Sequence, residues 1–389
     1  MINALHMKTI YYSIGFMAAL LAGCTAEDAG TAGEADVPAE GGEIRLAVAG
    51  TSGLSATRSG ALSYDYDYLQ NECSWPGSEN YFKLEARMSN HLDKVYFDDY
   101  VMYNTYVSEY PWRICEIDGT QLKYYWPGST AFDFFAYAPA TSGGVAVPPT
   151  ILDNGLTYDG FDPVENKHTL SCNLTEFRYG DQSDLKEFIY AYETNQTYAK
   201  QGVSGVTLHF QHPLSAIYIR LASAFENTKL NSVTFKSRNS TPTGSGIYYT
   251  GTGTCTTDGT TWEHLEGAHA NDFKININKV MGSTMFIGNI FDEPFLVMPQ
   301  PLADRQGLED VVMEIRFAKG HDDGGGSISW PVEKVVTLPI TGVIDRWESG
   351  KAYTYSLELG KDESVIVNAS VESWNYQGNY TGVMVDDDD

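Results

Sequence analysis

An all-β architecture is predicted on three observations. Aromatic residues are abundant, with 26 Tyr, 17 Phe and 7 Trp, and they fall in short runs with Val, Ile and Thr, the residues that suit a pleated, half-buried surface. Those runs are bounded by Gly, Pro, Asn and Asp, and the 37 glycines recur at short intervals, as strand-and-turn chains require. Beyond the N-terminus no window carries a clean 3.6-residue apolar repeat, so helices should be few and short. The 389 residues suffice for about two domains. Acidic residues outnumber basic ones 51 to 25, for a formal charge of −26, which argues against nucleic acid and against electrostatic attachment to anionic lipid.

The first element is an export signal, expected over residues 1–23. One lysine, Lys8, precedes an apolar run from Ile10 to Leu21, too short for a bilayer span of about 20 residues, and small residues follow it as in a cleavable signal. Leu21-Ala22-Gly23-Cys24 is similar to the bacterial lipobox, which makes Cys24 the candidate lipidated residue and Met7 the expected start. An acylated cysteine buries methylenes worth ~0.8 kcal/mol each, so the chain should meet a membrane through lipid alone. Residues 24–58 then read as a tether that ends in one strand. From Thr25 to Gly42 the composition is that of a flexible linker, and in "EIRLAVAG" (43–50) Ile44, Leu46 and Val48 alternate with Arg45, Ala47 and Ala49.

A strand so patterned buries one face. Removing its three apolar side chains would forfeit roughly 5–9 kcal/mol of burial at about 1.5–3 kcal/mol each and would leave a neighbouring strand edge unpaired. The loop "TSGLSAT" follows and then Arg58, in a composition that costs little to unfold into a protease cleft. Arg45 is the other basic candidate, but it lies within the strand pattern.

Residues 59–200 and 201–389 are the two expected β units. In the first, "KVYFDDYVMYN" (94–104), "GTQLKYYWPG" (119–128) and "TAFDFFAYAP" (130–139) read as strands, and "DLKEFIYAYETNQT" (184–197) as a strand or short helix. In the second, Val206, Leu208 and Phe210 share one face and Ile217, Ile219 and Leu221 another, with Pro213 between them, giving two strands or one bent strand. Further short runs follow at sandwich-like spacing. Near the end, "ESVIVNASVESW" (363–374) sets Val365, Val367, Ala369 and Val371 on one face. "YTGVMV" (380–385), with Val383 and Val385, supplies a second apolar segment before four aspartates.

Cys73, Cys115, Cys172 and Cys255 allow two disulfides in an oxidising compartment, and four buried thiols are equally compatible. No nucleophile elbow, phosphate loop or HExxH occurs, so no catalytic residue, metal or cofactor is expected. "HDDGGGS" (321–327) carries cation-ligand types but reads as a hairpin loop. His209 and His212, three apart, point to opposite faces of a strand. Trp75, Tyr81, Trp112, Tyr124, Tyr125 and Trp126 suit a sugar-stacking platform, which keeps a surface glycan-binding lipoprotein as the alternative function.

Several stretches together resemble the fimbrillin, or type V pilin, family with its fimbrillin-like members. They are "FDFFAYAP" (132–139), "DLKEFIYAYE" (184–193), "LHFQHPLSAIYIRL" (208–221), "FLVMPQPL" (295–302) and "WESGKAYTYSLEL" (347–359), in company with the lipobox. The resemblance implies two tandem transthyretin-like β-sandwich domains in a lipoprotein precursor, carried to the outer membrane and cell surface. It implies trimming by an arginine-specific protease after Arg58 to give a Ser59 N-terminus, loss of the strand bearing Ile44, Leu46 and Val48, and polymerisation with other pilin subunits by donor-strand exchange, in the service of adhesion. The donor would be one of the two C-terminal segments. A tail unable to donate would make the chain a tip or anchor subunit.

Overall fold

The computed structural model describes residues 42–49, 69, 73–75, 81–142, 145–146, 155–175, 188–202, 204–223, 227–238, 246–264, 269–270, 272–281, 288–291, 294–303, 310–322, 324, 327–330, 332–359 and 364–374. The principal strands in its first part are β1 (Leu46–Val48), β2 (Phe82–Met88), β3 (His91–Asn104), β4 (Phe132–Ala138), β5 (Leu156–Asp162), β6 (Lys167–Asn173) and β7 (Ile189–Gln196). A one-turn helix α1 (Tyr198–Gln201) follows, then β8 (Val206–Leu208), β9 (Ser215–Ser223), β10 (Thr228–Ser237), β11 (Thr250–Thr256) and β12 (Gly259–His264). The last are β13 (Asp272–Met281), β14 (Val311–Lys319), β15 (Glu333–Pro339), β16 (Lys351–Leu359) and β17 (Val365–Ser373). The protein is all-β, as the sequence predicts.

A central sheet runs in the order β7–β4–β2–β3 with antiparallel neighbours. Every residue of β4, "FDFFAYA", is buried, which a strand attains when both faces of its sheet are covered. On one face Phe132, Phe134, Ala136 and Ala138 join Phe82, Leu84, Ala86, Ile189 and Ala191 in a core closed by Ile44, Leu46 and Val48 and by Val206, Leu208 and Phe210. On the other face Phe135, Tyr137 and Tyr190 meet a second sheet, ordered β12–β11–β6–β5. There Phe135 stacks on His168 at a centroid distance of 3.7 Å and on Tyr158 at 5.1 Å. That second sheet takes two strands from each side of residue 200, because β6 pairs antiparallel with β11.

The remaining strands form a sandwich. One sheet holds β9 parallel to β16 with β17 antiparallel at the edge, and the other runs β13–β10–β14–β15. Their inner faces meet where Phe235 of β10 lies 5.1 Å from Tyr355 of β16, and the Trp347 indole N–H donates to the Tyr355 hydroxyl at 3.0 Å. Pro213 separates β8 from β9, so the two halves of the 205–224 pattern serve different sheets: β8 pairs with β1 and β9 with β16.

Cys73, Cys115, Cys172 and Cys255 are all buried and none is in a disulfide among the described residues, which is the thiol alternative. Burial, with Asp99 and Asp118 adding to it, pushes the Cys115 thiol up to about 12. At the start of "HDDGGGS", His321–Asp322 pairs antiparallel with Ile328–Ser329 just after it.

Candidate functional site: the seat of the first strand

Glu43–Gly50 was the expected extent of the first strand, and the ladder proper is Leu46–Val48, parallel to Val206–Leu208 in a two-stranded ribbon. It is shorter because β8 begins at Val206 and, among the described residues, carries no strand backbone on that side opposite residues 42–45. Those residues find other partners. On one side the Gly42 carbonyl accepts from the Trp126 amide at 3.1 Å and the Ile44 amide donates to the Tyr124 carbonyl at 2.8 Å. On the other, the side chain of Gln201 donates to the Glu43 carbonyl at 3.1 Å and accepts from the Arg45 amide at 2.8 Å. The same Gln201 oxygen accepts from the Trp126 indole N–H at 3.0 Å.

Local sequence explains how Gln201 reaches that point. Thr197 caps α1 by accepting from the Lys200 amide, and Gly202 at φ 55° ends the turn, a conformation that favours glycine. Gly205 at φ 88° then brings the chain against β1: a Cβ there would lie 2.7 Å from the Arg45 carbonyl oxygen. Downstream, the Val206 amide donates to the Arg45 carbonyl at 2.7 Å and the Ala49 amide to the Leu208 carbonyl at 2.9 Å. Arg45 lays its guanidinium over the Tyr110 ring at 4.5 Å, and Glu43 faces Lys123 at 3.6 Å.

The side chains close the seat. Ile44 is 5%, Leu46 1% and Val48 9% exposed. Without them, the Val206 N–H, the Leu208 carbonyl and the Gln201 carboxamide, itself 4% exposed, would need new partners, since buried polar groups left unpaired are costly. An extended peptide supplies both main-chain groups and apolar side chains, as in strand addition to a sheet edge.

The C-terminal candidate Val365–Val371 lies in β17, paired along its length with β16 at the edge of the sandwich. Val365, Val367 and Ala369 pack partly on the core, while Ile366 and Val371 are exposed. Trp374 follows, its ring stacked on the buried His212 at 4.0 Å. His209 instead contacts the Glu193 carboxylate at 2.7 Å. Cys24, Arg58, Ser59, Val383 and Val385 lie outside the described residues. Of the aromatics weighed as a sugar platform, Tyr81, Trp112 and Trp126 are buried and Tyr124 stacks on Phe97 at 4.3 Å. Tyr125 is exposed. Tyr81, Trp112, Trp126 and Tyr124 thus pack on core residues, and the Trp75 side chain lies outside the described residues. Gln201 was not among the residues expected at the site; its local signals were the Thr197 cap and the Gly202 stop.

A chain of this kind, all-β with a buried, short first strand held from both sides, can be set beside known proteins. The fimbrillin-like family model matches residues 99–374, and the protein belongs to that family. No curated protein matches it. Among solved structures, a fimbrial protein from Bacteroides vulgatus aligns with a TM-score of 0.52 at 15% identity, covering 86% of this chain and 99% of that one. The tip fimbrial protein Mfa3 from Porphyromonas gingivalis, with a C-terminal truncation, aligns with a TM-score of 0.35 at 11% identity, covering 76% and 94%. The first of these likenesses establishes a shared fold.

Proposed function

We propose that this protein is a structural subunit of a fimbrium, non-enzymatic, exported as a precursor lipidated on Cys24 and displayed at the outer membrane and cell surface. An arginine-specific protease cuts after Arg58, Ser59 becomes the new N-terminus, and β1 leaves. A strand from another pilin subunit then fills the seat beside β8. Membership of the fimbrillin-like family supports the fimbrial part of this reading. The observation that carries the exchange is that, among the described residues, β1 is paired only in a two-stranded ribbon, yet its Leu46 and Val48 and the preceding Ile44 are all buried, so its loss opens a groove without breaking a larger sheet. Cleavage at Arg45 is disfavoured physically, because its amide and carbonyl are both hydrogen-bonded within the seat.

The division into units 59–200 and 201–389 belongs to the same proposal, with β8 lent across it to the first core. Of the two donor candidates, Val365–Val371 is already engaged in a nine-residue ladder, which shifts the donor role to the segment bearing Val383 and Val385. Four aspartates follow that segment and would stay in water. The engagement of β17 also favours a second reading, a tip or anchor subunit that accepts a strand and donates none. Mass spectrometry of the N-terminus in polymer recovered from the cell surface tests both. A Ser59 start supports the trimmed subunit, an acylated Cys24 start in assembled material supports the anchor, and absence of the chain from all assembled material refutes the fimbrial reading.

A further inference from the structure

The hydrogen bonds around β1 have a regular form. In a parallel ladder, a residue donates its N–H to the carbonyl before its opposite number and accepts from the amide after it. Val206 stands opposite Leu46 and donates to the Arg45 carbonyl; Leu208 stands opposite Val48 and accepts from the Ala49 amide. Two residues upstream, Ile44 has no strand residue of β8 opposite it among the described residues. The Gln201 carboxamide donates to the Glu43 carbonyl and accepts from the Arg45 amide, which is the same pattern centred on Ile44. Its oxygen is fixed by the Trp126 indole N–H.

We propose that Gln201 is a positioning residue that acts as a surrogate strand residue, extending β8 by one rung so that the seat reads the main chain and direction of its occupant. The inference deepens the strand-exchange reading and rests on it for the identity of the incoming partner. The partner is an extended peptide running parallel to β8, with apolar side chains at the positions of Ile44, Leu46 and Val48. It must offer free N–H groups at the positions of Ile44, Arg45, Ala47 and Ala49, which excludes proline from all four. Side chains at the Glu43 and Arg45 positions are unconstrained by this contact, since only their main chain is bonded to Gln201.

Hydrogen exchange on the intact full-length chain tests the role of Gln201. Gln201→Glu removes the donor to the Glu43 carbonyl, and Gln201→Met keeps the bulk while removing both hydrogen bonds. In each, amides 44–49 should exchange about tenfold faster than in wild type, while β10 and β14 keep their protection. Unchanged exchange at 44–49 overturns the proposal, as does an equal rise across β10 and β14, which marks a merely structural residue. Should neither variant accumulate, Trp126→Phe, which loses the indole N–H that fixes Oε1 together with part of a buried ring, should give the same local pattern at 44–49; its absence likewise overturns the proposal. A second arm uses the chain nicked after Arg58 and a labelled peptide of residues 42–50. The natural sequence should enter the seat and the same peptide carrying Arg45→Pro, which lacks the N–H bonded to Gln201, should not; equal uptake overturns the main-chain reading. Uptake of neither peptide refutes strand exchange while leaving the role of Gln201 to the uncut-chain result.

Discussion

The first and last strands of this protein are held by opposite means. β1 has three residues, with Leu46 and Val48 buried, and the buried Ile44 precedes it in a segment, 42–45, whose main chain is bonded on one side by the backbone of Tyr124 and Trp126 and on the other by the Gln201 side chain. β17 has nine residues and a continuous ladder with β16, but it is a sheet edge and Ile366 and Val371 face outward. The first is retained chiefly by side-chain burial, the second by its ladder. A short strand of the first kind leaves a deep, specific vacancy, whereas removing the second would bare a long edge and little core.

The sharpest way to break this contrast is to shorten one buried side chain in each strand. Leu46→Ala should cost about 2–5 kcal/mol by denaturant titration, and Val367→Ala, which is only partly buried, about 1 kcal/mol; equal losses would erase the distinction. Acid offers the next largest effect, on the face of the central sheet away from β1. Burial, with a smaller push from the Arg87 guanidinium, holds the His168 imidazole down at about 3, against an ordinary 6.5. The unfolded chain therefore takes up a proton that the folded chain refuses, so this contribution is complete above pH 6.5 and is lost as pH falls toward 3. The slope approaches ~1.4 kcal/mol per pH unit, and His168→Phe should remove that component when stability is compared at about pH 7 and about pH 5.

Gly205→Ala should cost roughly 1–3 kcal/mol, from its positive φ and the collision with the Arg45 carbonyl. Hydrogen exchange should locate the damage at residues 44–49 and leave β17 untouched. The smallest effect is expected at the outward face of the last strand, where Ile366→Thr or Val371→Thr should change the unfolding midpoint by no more than about 0.5 kcal/mol equivalent.

The strands themselves were legible because alternation is a local property. Ile44, Leu46 and Val48 are the buried set that their period-two spacing predicts, and Pro213 marks the break between β8 and β9. The outward position of Val371 was not legible, since it depends on where the sandwich core ends beneath β17. Pairing is equally remote: Gln201 meets Glu43 across 158 residues, and a glutamine in "TYAKQG" looks like any surface glutamine. The sheet that joins β6 to β11 crosses the expected division at residue 200 for the same reason. Strand patterns name the face a residue turns inward, but not the partner that waits there.

The doubly roofed central sheet has a mechanical consequence. A subunit stripped of β1 would be open over part of one roof only, because the stack of Phe135, Tyr158 and His168 continues to brace the opposite side. Such a molecule could wait for its neighbour as a rigid socket instead of slumping into a sticky intermediate, and the strength of a finished filament would then depend on how well each inserted strand fits that socket.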